Sequence, residues 1–277
     1  MSGSDRGLMF IGRSPPYHSG VKSPRSSLLL ALLWLLAAAV VVPALLLLRG
    51  PSTELYLAVT ARTADLPGVE LVAEAGVIVL ALLWLLAAWQ ARGAGLVAVA
   101  TALVGGAGAV VAYATSEVAK TIVQQPRGCW DLIEIAHCPA AGDWSFPSNH
   151  TTIAFALATS VVLTALATGR PRDSLGTTTA LRFRRARRLP PYRVMVVAPA
   201  ILAVVTGAAR LVQGVHFPHD VVAGATVGVC VVVALVLALR GPAAAGLAVL
   251  CRNEALDRLL LAPEVRAGAD ERALAHR

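Results

Sequence analysis

Apolar residues along this chain occur in long, nearly unbroken runs rather than in the alternating patterns of amphipathic helices or strands. A run of about 20 apolar residues is the length that an α-helix needs to cross the hydrocarbon core of a bilayer. Six such runs predict transmembrane helices, at residues 27–48, 71–89, 96–114, 150–167, 192–208 and 221–239. The pattern therefore predicts an all-α fold, a polytopic membrane helix bundle with six transmembrane helices.

The polar connections between these runs differ in length and composition. Residues 49–70 carry mixed charges and turn-forming residues, and we expect them to form a loop. Residues 90–95 are so few that the third helix must return antiparallel to the second. Within the third run, Gly105, Gly106 and Gly108 allow another helix to approach closely.

Polar segments flank the membrane part, so the chain divides into three predicted regions. Residues 1–26 are polar and cationic and are expected to form a disordered N-terminal segment. The apolar run that follows is too long for the core of a cleavable signal peptide, so we expect a retained anchor. Residues 27–240 form the predicted six-helix membrane domain, and residues 241–277 form a cytoplasmic C-terminal tail. Within the tail, residues 252–261 have a helical pattern.

Composition and charge exclude two broad classes of protein. Only 14% of the residues are charged and 57% are hydrophobic, which excludes an ordinary water-soluble domain. The net charge of +8 does not indicate nucleic-acid binding, because the basic residues concentrate in the leader and in the loop at 168–191. By the positive-inside rule, both termini and that loop are predicted to be cytoplasmic. The polar segments 115–149 and 209–220 then lie on the extracytoplasmic face.

Two of the four cysteines, Cys129 and Cys138, lie in the same predicted extracytoplasmic segment. In an oxidising envelope compartment they either form a disulfide or stay as free thiols, and the sequence leaves both alternatives open. The neighbouring His137 has no second and third ligand at a metal-binding spacing. We therefore expect neither a metal nor another cofactor.

Three clusters of polar residues border the predicted extracytoplasmic helix ends. The first contains Lys120 and Arg127, and such a pair by itself is typical of interfacial anchors. The second contains Ser148, Asn149 and His150 and opens the fourth run, where Ser148 is a candidate N-cap. The N–H groups and the positive dipole end of a helix N-terminus also form a cradle for anions.

The third cluster contains Arg210, His216 and Asp220. His216 and Asp220 are four residues apart and share a helical face, and a carboxylate beside an imidazole orients a histidine base or nucleophile. Arg210 is able to bind an oxyanion through two donors. Together the three clusters supply cations, a helix N-terminus, two histidines and a carboxylate, a set that suits a phosphate group.

These clusters resemble the three motifs of the type 2 phosphatidic acid phosphatase (PAP2) superfamily, K-x6-R-P, P-S-G-H and S-R-x5-H-x3-D. The chain reads Lys120-x6-Arg127-Gly128, Pro147-Ser148-Asn149-His150 and Ala209-Arg210-x5-His216-x3-Asp220. The order and internal spacing of the motifs agree with those of the family, and the six spans agree with its membrane members.

The resemblance implies a role for each matching residue. His216 matches the nucleophile of the family, which forms a phosphohistidine, and Asp220 matches its orienting partner. His150 matches the general acid for the leaving group. The implied phosphate ligands are Lys120, Arg127, Ser148, Asn149 (through its backbone N–H) and Arg210.

Three positions depart from the motifs. Gly128 replaces a proline, and we expect only the stiffness of the loop to change. Asn149 replaces a glycine, so it still offers its N–H while its side chain takes space in the pocket. Ala209 replaces a serine, and one lost hydrogen bond costs about 0.5–1.5 kcal/mol, which slows catalysis rather than abolishing it.

The resemblance implies an integral membrane phosphatase that hydrolyses a lipid phosphate or pyrophosphate, such as undecaprenyl pyrophosphate or phosphatidic acid. A lipid-linked phosphotransferase would use the same residues. A transporter or structural membrane protein with degenerate motifs is the other alternative, although ionisable residues at helix ends rather than at mid-membrane argue against a transporter. The expected partners are the bilayer and the lipid phosphate, in a multi-pass protein of the cell membrane.

Overall fold

The computed structural model describes residues 24–63, 66–169 and 192–267. The predictions for the leader up to residue 23, for the arginine-rich loop at 170–191 and for the end of the tail lie outside the described residues. The helices are, in chain order, α1 (Pro24–Ala44), α2 (Arg49–Thr63), α3 (Val69–Ala91), α4 (Leu96–Val123), α5 (Gly128–Asp131), α6 (Asn149–Thr168), α7 (Tyr192–Val212), α8 (Pro218–Leu250) and α9 (Glu254–Leu260).

Within these ranges the chain has six helical stretches that are long and apolar enough to cross a membrane. A 3-10 turn at Leu45–Leu48 joins α1 to α2, so the first stretch is continuous from Arg25 to Thr63. The described residues contain no strand. The predicted fold class, an all-α polytopic membrane bundle, is confirmed.

The loop predicted at residues 49–70 is wrong over most of its length, because Arg49–Thr63 forms α2. Ser52, Tyr56 and Thr60 are buried in this helix, and their spacing of four residues places them on one face. Pro51 lies in the first turn of α2, where a proline is tolerated. The mixed polarity of the segment therefore reflects an amphipathic helix, with a polar face turned to the bundle, rather than a series of turns.

Two predicted helices continue beyond their apolar runs. The third span was predicted to end near residue 114, but α4 continues to Val123 and carries Ser116 and Lys120 as buried residues of its last turns. The sixth span continues to Leu250. The extension of α4 has a physical cause, because Ser116 and Lys120 find hydrogen-bond partners in Asn149 and Asp143 and can therefore be buried.

The centre of the bundle consists of α4, α6 and α8, which pack against one another, while α3 and α7 pack against α6. Small residues allow these close contacts. A Cβ atom on Gly105 would lie 2.2 Å from Oγ of Ser160, and one on Gly224 would lie 2.5 Å from the carbonyl oxygen of Ser148. The predicted close approach at the glycine-rich third span is confirmed. The contact at Gly224 also brings the N-terminal turns of α6 and α8 together.

The opposite end of the bundle is closed by the tail. The guanidinium of Arg92, between α3 and α4, donates to the carbonyl oxygen of Arg258 in α9 at 2.8 Å. The N–H of Ala262 donates to the carbonyl oxygen of Arg92 at 3.1 Å, and Leu260 packs against the apolar cluster around Ala98. The predicted helical stretch at 252–261 is confirmed. It lies at the same end as the short α3–α4 connection.

Candidate active site

The three polar clusters converge at one end of the bundle, where α4 ends, α6 begins, α7 ends and α8 begins. They enclose a cavity of about 400 Å³. Six of the eight predicted site residues line it: Lys120, Arg127, Asn149, His150, Arg210 and His216. The other two, Ser148 and Asp220, are fully buried beside the cavity wall. The structure thus brings all eight predicted residues to one place.

His216 lies in the turn between α7 and α8 and is 2% exposed. Its Nδ1 atom lies 3.4 Å from Oδ2 of Asp220, and its Nε2 atom lies 3.2 Å from Nη1 of Arg127. Burial, together with the positive charges of Arg127 and Arg210, holds the pKa of His216 well below its ordinary value. The imidazole is therefore neutral near neutral pH and has a lone pair available for nucleophilic attack.

The carboxylate of Asp220 is held in place by several hydrogen bonds. Oδ2 accepts from the hydroxyl of Ser145 and, at 2.8 Å, from the N–H of Phe217, which precedes the first turn of α8. Oδ1 accepts from Nε2 of Gln125 at 3.2 Å. These donors fix the carboxylate beside His216, whose Nδ1 lies at ion-pair distance and has no hydrogen-bond partner among the described residues.

A second buried histidine adjoins this pair. Nε2 of His219 lies 3.2 Å from Oδ1 of Asp220, and its Nδ1 lies 2.7 Å from Oγ of Ser52 in α2. The sequence did not indicate a role for His219, Ser52 or Gln125. Only the i, i+4, i+8 spacing of polar residues in α2 would have indicated that this helix packs behind the site.

Helix α2 also braces the turn that carries His216. The hydroxyl of Tyr56 donates to the carbonyl oxygen of Gly214 at 2.8 Å, and that of Thr63 donates to the carbonyl oxygen of Val212 at 2.7 Å. Gly214 has a φ of +76°, a conformation that favours glycine. The turn is thus held from outside the segment that contains the motif.

Arg127 is 2% exposed and connects two parts of the site. Its Nε donates to the carbonyl oxygen of Asp143 at 2.7 Å, and its Nη1 donates to the carbonyl oxygen of Val215 at 2.6 Å. The same guanidinium therefore holds the segment between α5 and α6 and the turn before α8. Its Nη1 also lies beside His216 in the cavity.

Asp143 is a site residue that the sequence did not reveal. Its Oδ1 lies 2.9 Å from Nζ of Lys120 and 3.0 Å from Nη2 of Arg127. Burial raises the pKa of Asp143, but the hydrogen bond from Lys120 and the positive charge of Arg127 outweigh burial and lower the pKa below its ordinary value. The carboxylate is therefore charged at neutral pH and occupies the space between two expected phosphate ligands.

Replacing Asp143 with asparagine is expected to lower the unfolding midpoint slightly at neutral pH. Because the side chain is 51% exposed, solvent screens the ion pairs and the decrease should be about 2 °C. A lowered pKa stabilises the folded state above the ordinary value of about 3.9, and this stabilisation is lost as the pH falls through the folded-state pKa. Unfolding midpoints of both proteins in detergent should converge on acidification. Asp131→Asn, in the same segment, is the control, and a difference that persists in acid would contradict the prediction.

Arg210, near the end of α7, has a hydrogen-bond donor without a partner among the described residues. Its Nη1 donates to Oε1 of Gln213 at 2.8 Å, whereas its buried Nε has no hydrogen-bond partner among the described residues. An unpaired buried donor is costly unless a ligand or water satisfies it. Because Arg210 also lines the cavity, the arrangement suits an incoming anion.

The second cluster lies at the start of α6 as expected, except that Ser148 does not line the cavity. The N–H of Ser148 donates to the carbonyl oxygen of Asp220 at 3.1 Å, and its hydroxyl accepts from Thr151 at 3.0 Å. Ser148 therefore joins α6 to α8, and its side chain does not line the cavity. The side chain of Asn149 is turned to α4, where it accepts from Ser116 at 2.7 Å and donates to Glu117. The space that this side chain occupies is thus set by α4.

The departure at Gly128 has a larger consequence than loop stiffness. A Cβ atom on Gly128 would lie 2.4 Å from the ring of Tyr56, which is fully buried. Any larger residue, proline included, would displace the tyrosine that braces the turn at Gly214. The expectation for Gly128 is corrected accordingly: the glycine makes room for α2.

Cys129 and Cys138 form a disulfide with their Cα atoms 5.9 Å apart, which resolves the alternative left open by the sequence. Trp130 lies inside the closed loop, and its Nε1 donates to the carbonyl oxygen of Pro139, the residue just after the loop, at 2.8 Å. Trp130 also packs edge-on against Trp144, next to Asp143. The disulfide therefore steadies the segment that presents Asp143 to the cations.

Comparisons with known proteins identify the family of the chain. Among solved structures, the crystal structure of the first transmembrane PAP2 type phosphatidylglycerolphosphate phosphatase from Bacillus subtilis is similar, with 22% sequence identity, coverage of 75% of this chain and 91% of that chain, and a TM-score of 0.30. The comparison with curated proteins found no match. The model of the PAP2 superfamily matches residues 94–241, which is more than half of the chain and contains all eight predicted site residues. The chain belongs to the PAP2 superfamily.

Proposed function

We propose that this protein is an integral membrane phosphatase that hydrolyses a lipid phosphate or pyrophosphate through a phosphohistidine intermediate on His216. One observation carries the proposal. His216 has its Nδ1 beside the carboxylate of Asp220 and its Nε2 beside the guanidinium of Arg127, in a cavity lined by two further cations. A neutral imidazole with a carboxylate beside it and fixed positive charges around it is suited to attack a phosphate.

In the first step, Nε2 of His216 attacks phosphorus and the bond from phosphorus to the leaving oxygen breaks. His150 gives its proton to that oxygen. Asp220 stabilises the positive charge that develops on the imidazole of His216. Lys120, Arg127 and Arg210 stabilise the charge on the equatorial phosphoryl oxygens.

In the second step, water attacks phosphorus and the bond from phosphorus to Nε2 breaks. His150, now neutral, takes the proton from the water, so both histidines return to their initial states. The backbone N–H groups at the start of α6, including that of Asn149, contribute to anion binding through the positive end of the helix. Ser148 contributes by holding this helix start against Asp220.

The apolar part of the cavity lining supports a lipid substrate. Val77 in α3 and Ile153 in α6 line the cavity beside the cations. The phosphate head group would reach the cations while the tail stays in the bilayer. We assign the site to the extracytoplasmic face of the cell membrane, with both termini cytoplasmic. The disulfide supports this orientation, because disulfides persist in oxidising compartments. Undecaprenyl pyrophosphate and phosphatidic acid are the candidate substrates.

The test is phosphate release by the protein purified in detergent, with EDTA present and with undecaprenyl pyrophosphate and phosphatidic acid as substrates. We expect release from at least one lipid, and a decrease in kcat/KM of about 10²-fold in Lys120→Ala, because one fixed cation is lost. Arg258→Ala is the matched control, since Arg258 is a cation at the opposite end of the bundle. Equal activity of Lys120→Ala and the wild type would contradict the assignment of the site.

A further inference from the structure

Glu74 of α3 contacts the expected general acid from outside the part of the chain matched by the family model. Its Oε1 lies 2.8 Å from Nε2 of His150. Glu74 itself does not line the cavity, whereas His150 does. The contact therefore engages Nε2 of His150 and leaves Nδ1 without a hydrogen bond to a side chain among the described residues.

Charge gives this contact a chemical consequence. His150 lies in the electrostatic field of Arg210 and Lys120, and both cations oppose a positive charge on the imidazole. A general acid must carry that charge before it donates its proton. The carboxylate of Glu74 is the one acid that the structure places in hydrogen-bond contact with His150 among the described residues, and its negative charge favours the protonated imidazole.

We propose that Glu74 is the positioning residue for His150, an inference that rests on the proposed function. The carboxylate accepts a hydrogen bond from Nε2–H, and that proton stays on Nε2 throughout. The Nδ1–H proton then passes to the leaving oxygen as the bond from phosphorus to that oxygen breaks. In the second step Nδ1 takes a proton from the attacking water, so the proton balance closes without a change at Glu74.

The site then contains two carboxylate–imidazole pairs, one for the nucleophile and one for the general acid. Asp220 is fully buried and serves the nucleophile, whereas the side chain of Glu74 is 59% exposed and serves the acid. The pair also ties α3 to the start of α6.

The experiment compares two phosphate monoesters that differ in their leaving groups. An alkyl phosphate needs a proton on its leaving oxygen, whereas p-nitrophenyl phosphate releases a stable phenolate and needs none. For Glu74→Ala we expect kcat to fall about 30-fold with the alkyl phosphate and less than about 3-fold with the aryl phosphate. Glu74→Gln keeps an acceptor and loses the charge, so it should fall between the wild type and Glu74→Ala. Glu70→Ala, one turn earlier on α3, should show no dependence on the leaving group.

His150→Ala distinguishes the role proposed for Glu74 from the role of His150 as the general acid. If its loss depends on the leaving group and that of Glu74→Ala does not, Glu74 only joins two helices and the inference is overturned. If the loss in His150→Ala is equal for both substrates, the assignment of His150 as the acid in the proposed function is overturned. Unfolding midpoints of Glu74→Ala and Glu74→Gln verify that each variant is folded.

Discussion

Replacing His216 with asparagine is expected to abolish phosphate release, with a decrease in kcat of about 10⁴-fold or more, because no other group in the cavity replaces the nucleophile. The fold should persist. His216 occupies a turn whose conformation is fixed by the contacts of Tyr56 and Thr63 with Gly214 and Val212, and none of these contacts involves the imidazole. Asparagine also retains a polar group near the position of Nδ1.

The measurement is a single turnover with a radiolabelled lipid phosphate, quenched in alkali, where a phosphohistidine survives. The wild type should carry protein-bound phosphate and His216→Asn should carry none. His219→Asn is the matched control, because His219 lies at a similar distance from Asp220 but does not line the cavity. That variant should still be labelled. Label on His216→Asn, or label that is lost only in His219→Asn, would contradict the assignment of the nucleophile.

The sequence was sufficient to predict the parts of the fold that depend on local composition. Apolar runs specify where helices cross the bilayer, and each motif is a short segment whose residues stay together in any fold. The convergence of the three segments followed from topology, since they border helix ends on one side. For this reason Lys120, His150 and His216 could be placed in one cavity before any distance was known.

The residues that the sequence did not reveal make their contacts across long separations in the chain. Glu74 meets His150, Ser52 meets His219, and Asp143 meets Lys120 only after the helices have packed. No local sequence pattern distinguishes these residues from ordinary interfacial residues. The helix α2 was missed for a related reason. Its charges and its proline favoured the prediction of a loop, and its amphipathic spacing is weak.

Arg127→Lys is expected to decrease both activity and stability, whereas Arg210→Lys should decrease activity alone. Both substitutions keep the positive charge, so the difference lies in the hydrogen bonds. Arg127 donates from three nitrogens to Asp143, Val215 and Trp144, and a lysine cannot span these acceptors. A buried carbonyl group left without a donor, as that of Val215 would be, costs about 1–3 kcal/mol.

For Arg127→Lys we therefore expect a loss of about 3 kcal/mol in the free energy of unfolding and a decrease in kcat/KM of about 10²-fold or more. Arg210 bonds only to Gln213 through Nη1, and its Nε is unpaired among the described residues. Apart from the bond to Gln213, its replacement thus removes donors that have no partner among the described residues. Unfolding midpoints and kcat/KM, measured on the same detergent preparations, check both variants.

Arg127 and Arg210 line the same cavity, so their lysine variants differ mainly in the hydrogen bonds that each arginine makes. An equal loss of stability in both variants would contradict the division of tasks, since it would make Arg210 a structural residue as well. Unchanged stability in Arg127→Lys would mean that the bonds to Asp143 and Val215 do not hold the two segments together. If only Arg127→Lys is destabilised while both variants lose activity, Arg127 is the residue that assembles the site. Arg210 is then the residue whose unpaired donors bind the phosphate.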